Sequence, residues 1–118
     1  MSRRILALFA KAPVPGQVKT RLVPELSPES AAALYEAMLS DIVDASERDC
    51  ERALWFAPAD ARDWFERFAP AGWRLIPQQG RDLAARMAAL FRLHGAEGFD
   101  RIVLRGTDDG VGVDEHEL

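Results

Sequence analysis

The sequence has one cysteine in 118 residues, so no disulfide can close within the chain. Cys50 sits in the charged run Asp49-Cys50-Glu51-Arg52, and nowhere do Cys and His recur at zinc-ligand spacing. It reads as a surface or strand-edge thiol rather than a nucleophile. No apolar run approaches the ~20 residues that cross a bilayer. The stretch behind the N-terminal arginines, Ile5 to Ala10, ends at once in Lys11 and is too short for the apolar region of a signal peptide. A cytoplasmic protein with no membrane contact is expected. A basic excess is also missing. Fifteen Lys and Arg stand against 19 Asp and Glu, a net charge of −4, whereas a dedicated nucleic-acid binder shows a basic face with aromatics. There is no internal repeat and no low-complexity linker. At 48% hydrophobic and 29% charged residues the composition is that of one globular domain.

The most informative absence is local. From Met1 to Leu22 there is no acidic residue, and the charged side chains are Arg3, Arg4, Lys11, Lys19 and Arg21. Positive charge is therefore concentrated at the start of an acidic chain. On a loop after a strand, such a field suits an anionic ligand, most simply a phosphate-bearing small molecule.

The chain alternates. Arg3 to Ala10 is a compact apolar run that reads as a buried strand. Lys11 to Leu26 is a long loop, held extended by Pro13 and Pro15 and given a turn by Gly16. A helix is predicted from Ser27 to about Arg48, with Ser27 as cap, Pro28 in the first turn and Glu29 at the positive end of the dipole. Ala31, Leu34, Tyr35, Met38, Leu39, Ile42 and Val43 form its apolar stripe. Glu51 to Pro58 is a second strand, and Asp60 to Ala69 a short helix with Ala61, Trp64, Phe65 and Phe68 on one face. Trp73 to Pro77 is a third strand, followed by the turn Gln78 to Asp82. A helix from Asp82 to His94 buries Leu83, Met87, Leu90 and Phe91 and stops at Gly95. Arg101 to Leu104 is a fourth strand. This order implies right-handed crossovers and a mostly parallel sheet flanked by helices, with ligands outside the carboxyl ends of the strands.

Two loops leaving those ends carry complementary chemistry. In the first, Gly16 lets backbone approach a phosphate, Lys19 supplies a compact charge, Arg21 grips oxygens bidentately, and Lys11 reaches from the loop's other arm. The competing reading is a solvated loop that happens to be basic. A P-loop is excluded, because Gln17 and Val18 separate Gly16 from Lys19. In the second, Asp108 and Asp109 close the fourth strand, where carboxylates hold Mg²⁺ against phosphate. The alternative is an ordinary Asp-Gly turn. Gln79, Gly80, Asp82 and Arg86 mark the turn after the third strand, and Asp82 reads as a helix cap. His94 reads as a dipole partner near a helix end, and His116 as part of a frayed acidic tail.

Phe9 to Leu22, FAKAPVPGQVKTRL, resembles the opening signature of a bacterial family of glycosyltransferase-A-like proteins of unknown function, itself similar to the molybdenum-cofactor and 2-phospholactate guanylyltransferases. Gln79 to Met87 resembles that family's Gln-Gly, Asp-Leu and Arg-Met segment, and Arg101 to Asp108 its fourth strand ending in Gly-[Ser/Thr]-Asp. The resemblance spans roughly residues 4 to 108. It implies a three-layer, Rossmann-like α/β fold of the nucleotide-diphospho-sugar transferase type. It also implies that Lys11, Gly16, Lys19 and Arg21 contact base or phosphates, and that Asp108 binds Mg²⁺ or Mn²⁺.

Where the family continues Asp-[Ser/Cys]-Pro-Asp-Leu-Pro, this chain reads Asp108-Asp109-Gly110-Val111-Gly112-Val113, and the relatives run on well beyond that point. Residues 1–108 are accordingly expected to form the nucleotide-binding half of the fold, and 109–118 a divergent, disordered tail. The expected function is a Mg²⁺-dependent transferase using a nucleotide-sugar or a nucleoside triphosphate, guanylyltransferase-like nucleotidyl transfer included. The alternative is a truncated, non-catalytic remnant that binds a nucleotide weakly or acts as an assembly partner, with self-association through an exposed sheet edge. No general base is visible at a matched position.

Overall fold

The computed structural model describes residues 3–16, 27–46 and 48–106. Four parallel strands, β1 (Arg4–Lys11), β2 (Glu51–Ala57), β3 (Trp73–Pro77) and β4 (Arg101–Gly106), form one sheet in the order β3-β2-β1-β4. Helices α1 (Pro28–Ala45), α2 (Arg62–Phe68, entered through a 3-10 turn at Ala59–Ala61) and α3 (Leu83–Ala96) connect them. The expected alternation and the parallel sheet are both present.

Period-two alternation sorts the core. Leu6, Leu8 and Ala10 of β1, with Leu54 and Phe56 of β2, face α1 and α2, where Tyr35, Leu39, Val43 and Phe65 meet them. Ile5, Ala7 and Phe9, with Ala53 and Trp55, pack on the other face against Leu90 of α3 and Phe99 beyond its end. Both faces of β1 are therefore covered, which is why its sequence reads as an unbroken apolar run rather than an alternating one. Each of the large side chains sealed here contributes ~1.5–3 kcal/mol.

The helix ends show why these segments fold locally. Ser27 caps α1, its Oγ accepting from Ser30 N at 3.1 Å, and Pro28 occupies the first turn. The α1 stripe is narrower than predicted. Leu34 is 41% exposed, and Ala32 is buried beside Ala31 and Tyr35 instead. α1 also ends earlier than Arg48, at Ala45, because Ser46 turns its Oγ back onto Ile42 O at 2.7 Å. Asp82 caps α3, its Oδ1 accepting from Ala85 N at 2.8 Å.

Two expectations at the other end of α3 are corrected. Gly95 lies inside the helix, and the reversal falls at Gly98, φ +91°. There Gly98 N bonds Gly95 O at 3.1 Å, Phe99 N reaches back to His94 O at 3.2 Å, and Phe99 enters the core. His94 is not merely a dipole partner. It is fully buried. Its Nε2 accepts from Trp55 Nε1 at 3.0 Å, which leaves Nδ1 to donate to Glu97 Oε1 at 2.9 Å. Glu97 in turn takes both terminal nitrogens of Arg74, at 2.9 and 2.7 Å.

This chain of bonds has a pH signature. The Arg74 hydrogen bond, foremost, and the His94 bond hold the Glu97 carboxyl at about 2, against an ordinary value of 4.5. A carboxylate depressed on folding adds stability that is complete above pH 4.5 and is lost as pH falls toward 2. Allowing for the partial exposure of the pair, the stability at stake is about 2 kcal/mol. Urea unfolding against pH is expected to show this acid limb in the wild type and a shallower one in Glu97→Gln. Equal limbs would remove Glu97 from the account.

Candidate functional site

The connection after β1 runs to α1 on one face of the sheet, whereas β4 is entered from α3 on the other. β1 and β4 are neighbours, with Phe9 opposite Gly106. The chain direction therefore diverges between these two strands, which makes their carboxyl ends the position where open parallel sheets hold ligands in a crevice. The loop beginning at Lys11 and the segment following Gly106 both leave the sheet from this point.

Of the residues predicted for the site, Lys11 and Gly16 are described. Lys11 is the last residue of β1. Its backbone N–H donates to Tyr35 Oη at 3.0 Å, so the core tyrosine of α1 pins the strand end. Its ammonium group has no ion pair among the described residues. Ala12 continues the ladder, its N–H reaching Ala57 O at 2.8 Å. Gly16 adopts φ +84° with open space around the position a Cβ would take. That left-handed turn is what the sequence suggested. Lys19, Arg21 and Asp108 lie outside the described residues, as does 109–118.

One residue central to this edge was not singled out from the sequence. Gln78 follows the last residue of β3 and bonds back to the sheet, its N–H reaching Phe56 O at 2.8 Å. Its carboxamide spans the sheet end, with Nε2 donating to Trp55 O at 2.8 Å and to Ala10 O at 3.3 Å. Its Oε1 accepts from Arg86 Nη1 at 3.0 Å, while Arg86 Nε donates to Gly80 O at 3.1 Å. One side chain thus ties β3, β2 and β1 to the first turns of α3. Gly80 completes the joint at φ +127°. A Cβ there would stand 2.8 Å from both Ala85 Cβ and Arg86 N, so only glycine lets the β3–α3 turn close onto the helix. The pair Gln78-Gln79 ahead of Gly80 was visible as a turn. That the first glutamine crosses two strands depends on tertiary neighbours the sequence does not display.

Among the described residues no group of three or more His, Cys, Asp or Glu could hold a metal ion. Asp82 is engaged in capping α3. The described part of the edge supplies cations and amide groups, so a divalent ion would depend on Asp108.

A cavity of about 320 Å³ lies elsewhere, along the α1 side of β4, lined by Arg4, Cys50, Arg101, Val103 and Arg105 among others. β4 is an edge strand among the described residues, and Val103 is 43% exposed. No helix of the described residues is long and apolar enough to cross a membrane.

Residues 42–114 match the sequence profile of DUF2064, an uncharacterized protein family conserved in bacteria. Over 91 residues the chain is 32% identical to the 2-phospho-L-lactate guanylyltransferase of Methanothermobacter thermautotrophicus, covering 76% of this chain and 40% of that protein. Its fold superposes on a crystal structure from Desulfovibrio desulfuricans G20 of a protein provisionally assigned as a nucleotide-diphospho-sugar transferase. The TM-score is 0.84 at 32% identity, over 92% of this chain and 48% of the other. The chain therefore spans less than half the length of either relative.

Proposed function

Because the chain belongs to the bacterial DUF2064 family, we propose that the carboxyl edge of its sheet binds a nucleoside triphosphate or nucleotide-sugar, as the substrate side of a nucleotidyl or glycosyl transfer. The observation that carries this reading is the adjacency of β1 and β4. Lys11, where the cationic segment 11–21 begins in the sequence, ends β1 beside the strand that ends at Gly106, after which the sequence turns acidic. Lys11, Lys19 and Arg21 would oppose the negative charge of the phosphates, and Gly16 would let backbone come close. A divalent ion, Mg²⁺ or Mn²⁺, held by Asp108 would supply further neutralisation of the phosphates. The names of the two relatives, a guanylyltransferase and a nucleotide-diphospho-sugar transferase, support a nucleotide as the partner.

A second reading has a specific observation behind it. Among the described residues β4 is an edge strand. A protein that pairs through β4 with a second copy fits that fact.

Calorimetric titration with GTP, CTP, UTP and UDP-glucose, with and without Mg²⁺, tests the transferase reading. The transferase reading expects micromolar binding of one nucleotide. Absence of binding up to millimolar concentration contradicts it. Lys19→Ala and Arg21→Ala should each weaken binding by roughly 1.5–3 kcal/mol, the scale of a charged hydrogen bond, and Asp108→Asn should abolish the metal dependence. Unchanged affinity in both cation variants would overturn the phosphate-loop assignment.

A further inference from the structure

The arginines of the described residues are held in different ways, Arg52 and Arg62 for example lying over the rings of Trp73 and Phe56. Arg3, Arg4 and Arg74 are neutralised by carboxylates: Glu51 at 3.3 Å, Asp49 at 3.2 Å and Glu97 at 2.7 Å. Arg101 and Arg105 are exposed, with no hydrogen bond or ion pair among the described residues. Arg86 differs from all of these. It is half-buried and held at two points, yet both acceptors are neutral: the Gly80 carbonyl and the Gln78 amide oxygen. Its guanidinium has five N–H groups. Two are taken, so three remain without a partner among the described residues, and no described carboxylate pairs with its charge.

A guanidinium held only by neutral acceptors keeps its charge and its remaining donors for an anion. Its place is also specific. Gln78, which holds Nη1, is bonded by its other end to Ala10 O, the residue before Lys11. Arg86 and Lys11 are thereby linked through one side chain at the carboxyl end of β1. The fold keeps this linkage at some expense, since the Gly80 carbonyl that holds Nε belongs to a residue only glycine can be.

We propose that Arg86 grips a phosphate of the ligand at this edge, and that Gln78 is the positioning residue that fixes its guanidinium plane. This rests on the nucleotide reading above and adds to it a contact from the β3–α3 turn. Arginine rather than lysine suits the role, because a planar fork fixed at one edge still offers paired donors to phosphate oxygens. The ligand class is a polyphosphate ester.

The test titrates the full chain, at low salt, with GTP and separately with inorganic tripolyphosphate, which carries the charge without the nucleoside. Arg86→Gln should weaken GTP binding about ten- to hundred-fold and lower tripolyphosphate binding comparably. Gln78→Met should weaken both ligands while Arg86 is present and cost nothing further in the Arg86→Gln background. That coupling is one a purely structural glutamine would not show. Should Arg86→Gln lose its fold by circular dichroism, Arg86→Lys asks the same question, with a smaller loss expected from its unforked charge. GTP binding that is equally tight in the wild type and the folded Arg86 variant overturns the proposal and leaves the nucleotide reading standing. Arg86-dependent tripolyphosphate binding with no binding of GTP, CTP, UTP or UDP-glucose supports the proposal and refutes the nucleotide reading. Binding of none of these ligands to the wild type overturns both.

Discussion

Gly80→Ala is expected to destabilise the protein by about 3 kcal/mol, the scale of a strained backbone combined with an atomic clash. The added methyl would sit 2.8 Å from Ala85 Cβ and Arg86 N and 2.9 Å from the Ala85 carbonyl carbon, at φ +127°. The blocking atoms are helix backbone and a stub side chain, so nothing nearby can swing aside. Relief requires α3 to back away from the β3–α3 turn, which also breaks the Arg86 to Gly80 bond. Gly16→Ala provides the control. Its φ of +84° is unfavourable for alanine, but nothing lies within 4 Å of the new methyl, so only the conformational cost of about 1–2 kcal/mol applies. Urea denaturation of the two variants separates strain from contact. Equal losses would show that the Gly80 crowding is relieved without cost.

His94→Ala is expected to cost more, about 4 kcal/mol. It removes a fully buried ring lying edge-on to Trp55 at 5.4 Å and to Phe99 at 5.8 Å. It also strands the Trp55 indole N–H in the core, where an unpaired donor costs about 1–3 kcal/mol in addition to the cavity. His94→Gln retains an acceptor on a side chain of similar reach and should recover part of the loss. The readouts are the urea midpoint and the fluorescence of the tryptophans. Nucleotide affinity of the folded fraction should be unchanged, because His94 bonds Glu97 at the far end of α3 from the capped turn that carries Arg86. A large loss of affinity at full stability would place the histidine in the site after all.

Much of the fold was legible because its signals are local. Trp73 to Pro77 was bounded by Gly72 and the Gln78 turn, and β3 has those limits. The caps at Ser27 and Asp82 are side-chain acceptors at fixed spacing and were read directly. The misread points are those that tertiary packing decides. A three-four apolar stripe cannot tell whether the sheet lies under Leu34 or under Ala32, and the sheet took Ala32. Gly95 was expected to end α3, and burial of Phe99 put the reversal at Gly98 instead. The span of Gln78 across three strands was not legible. It follows from the order β3-β2-β1, which no local pattern encodes.

The proposed ligand position is the carboxyl edge of the sheet, between β1 and the first turns of α3. Backbone amide chemical shifts of the isotopically labelled chain, followed during titration with a nucleoside triphosphate and Mg²⁺, test it most directly. The account predicts that the large shifts gather at Lys11 to Gly16, Gln78 to Arg86 and Gly106. Shifts gathered instead at Arg4, Cys50, Arg101 and Val103 would put the ligand in the cavity along β4 and contradict it.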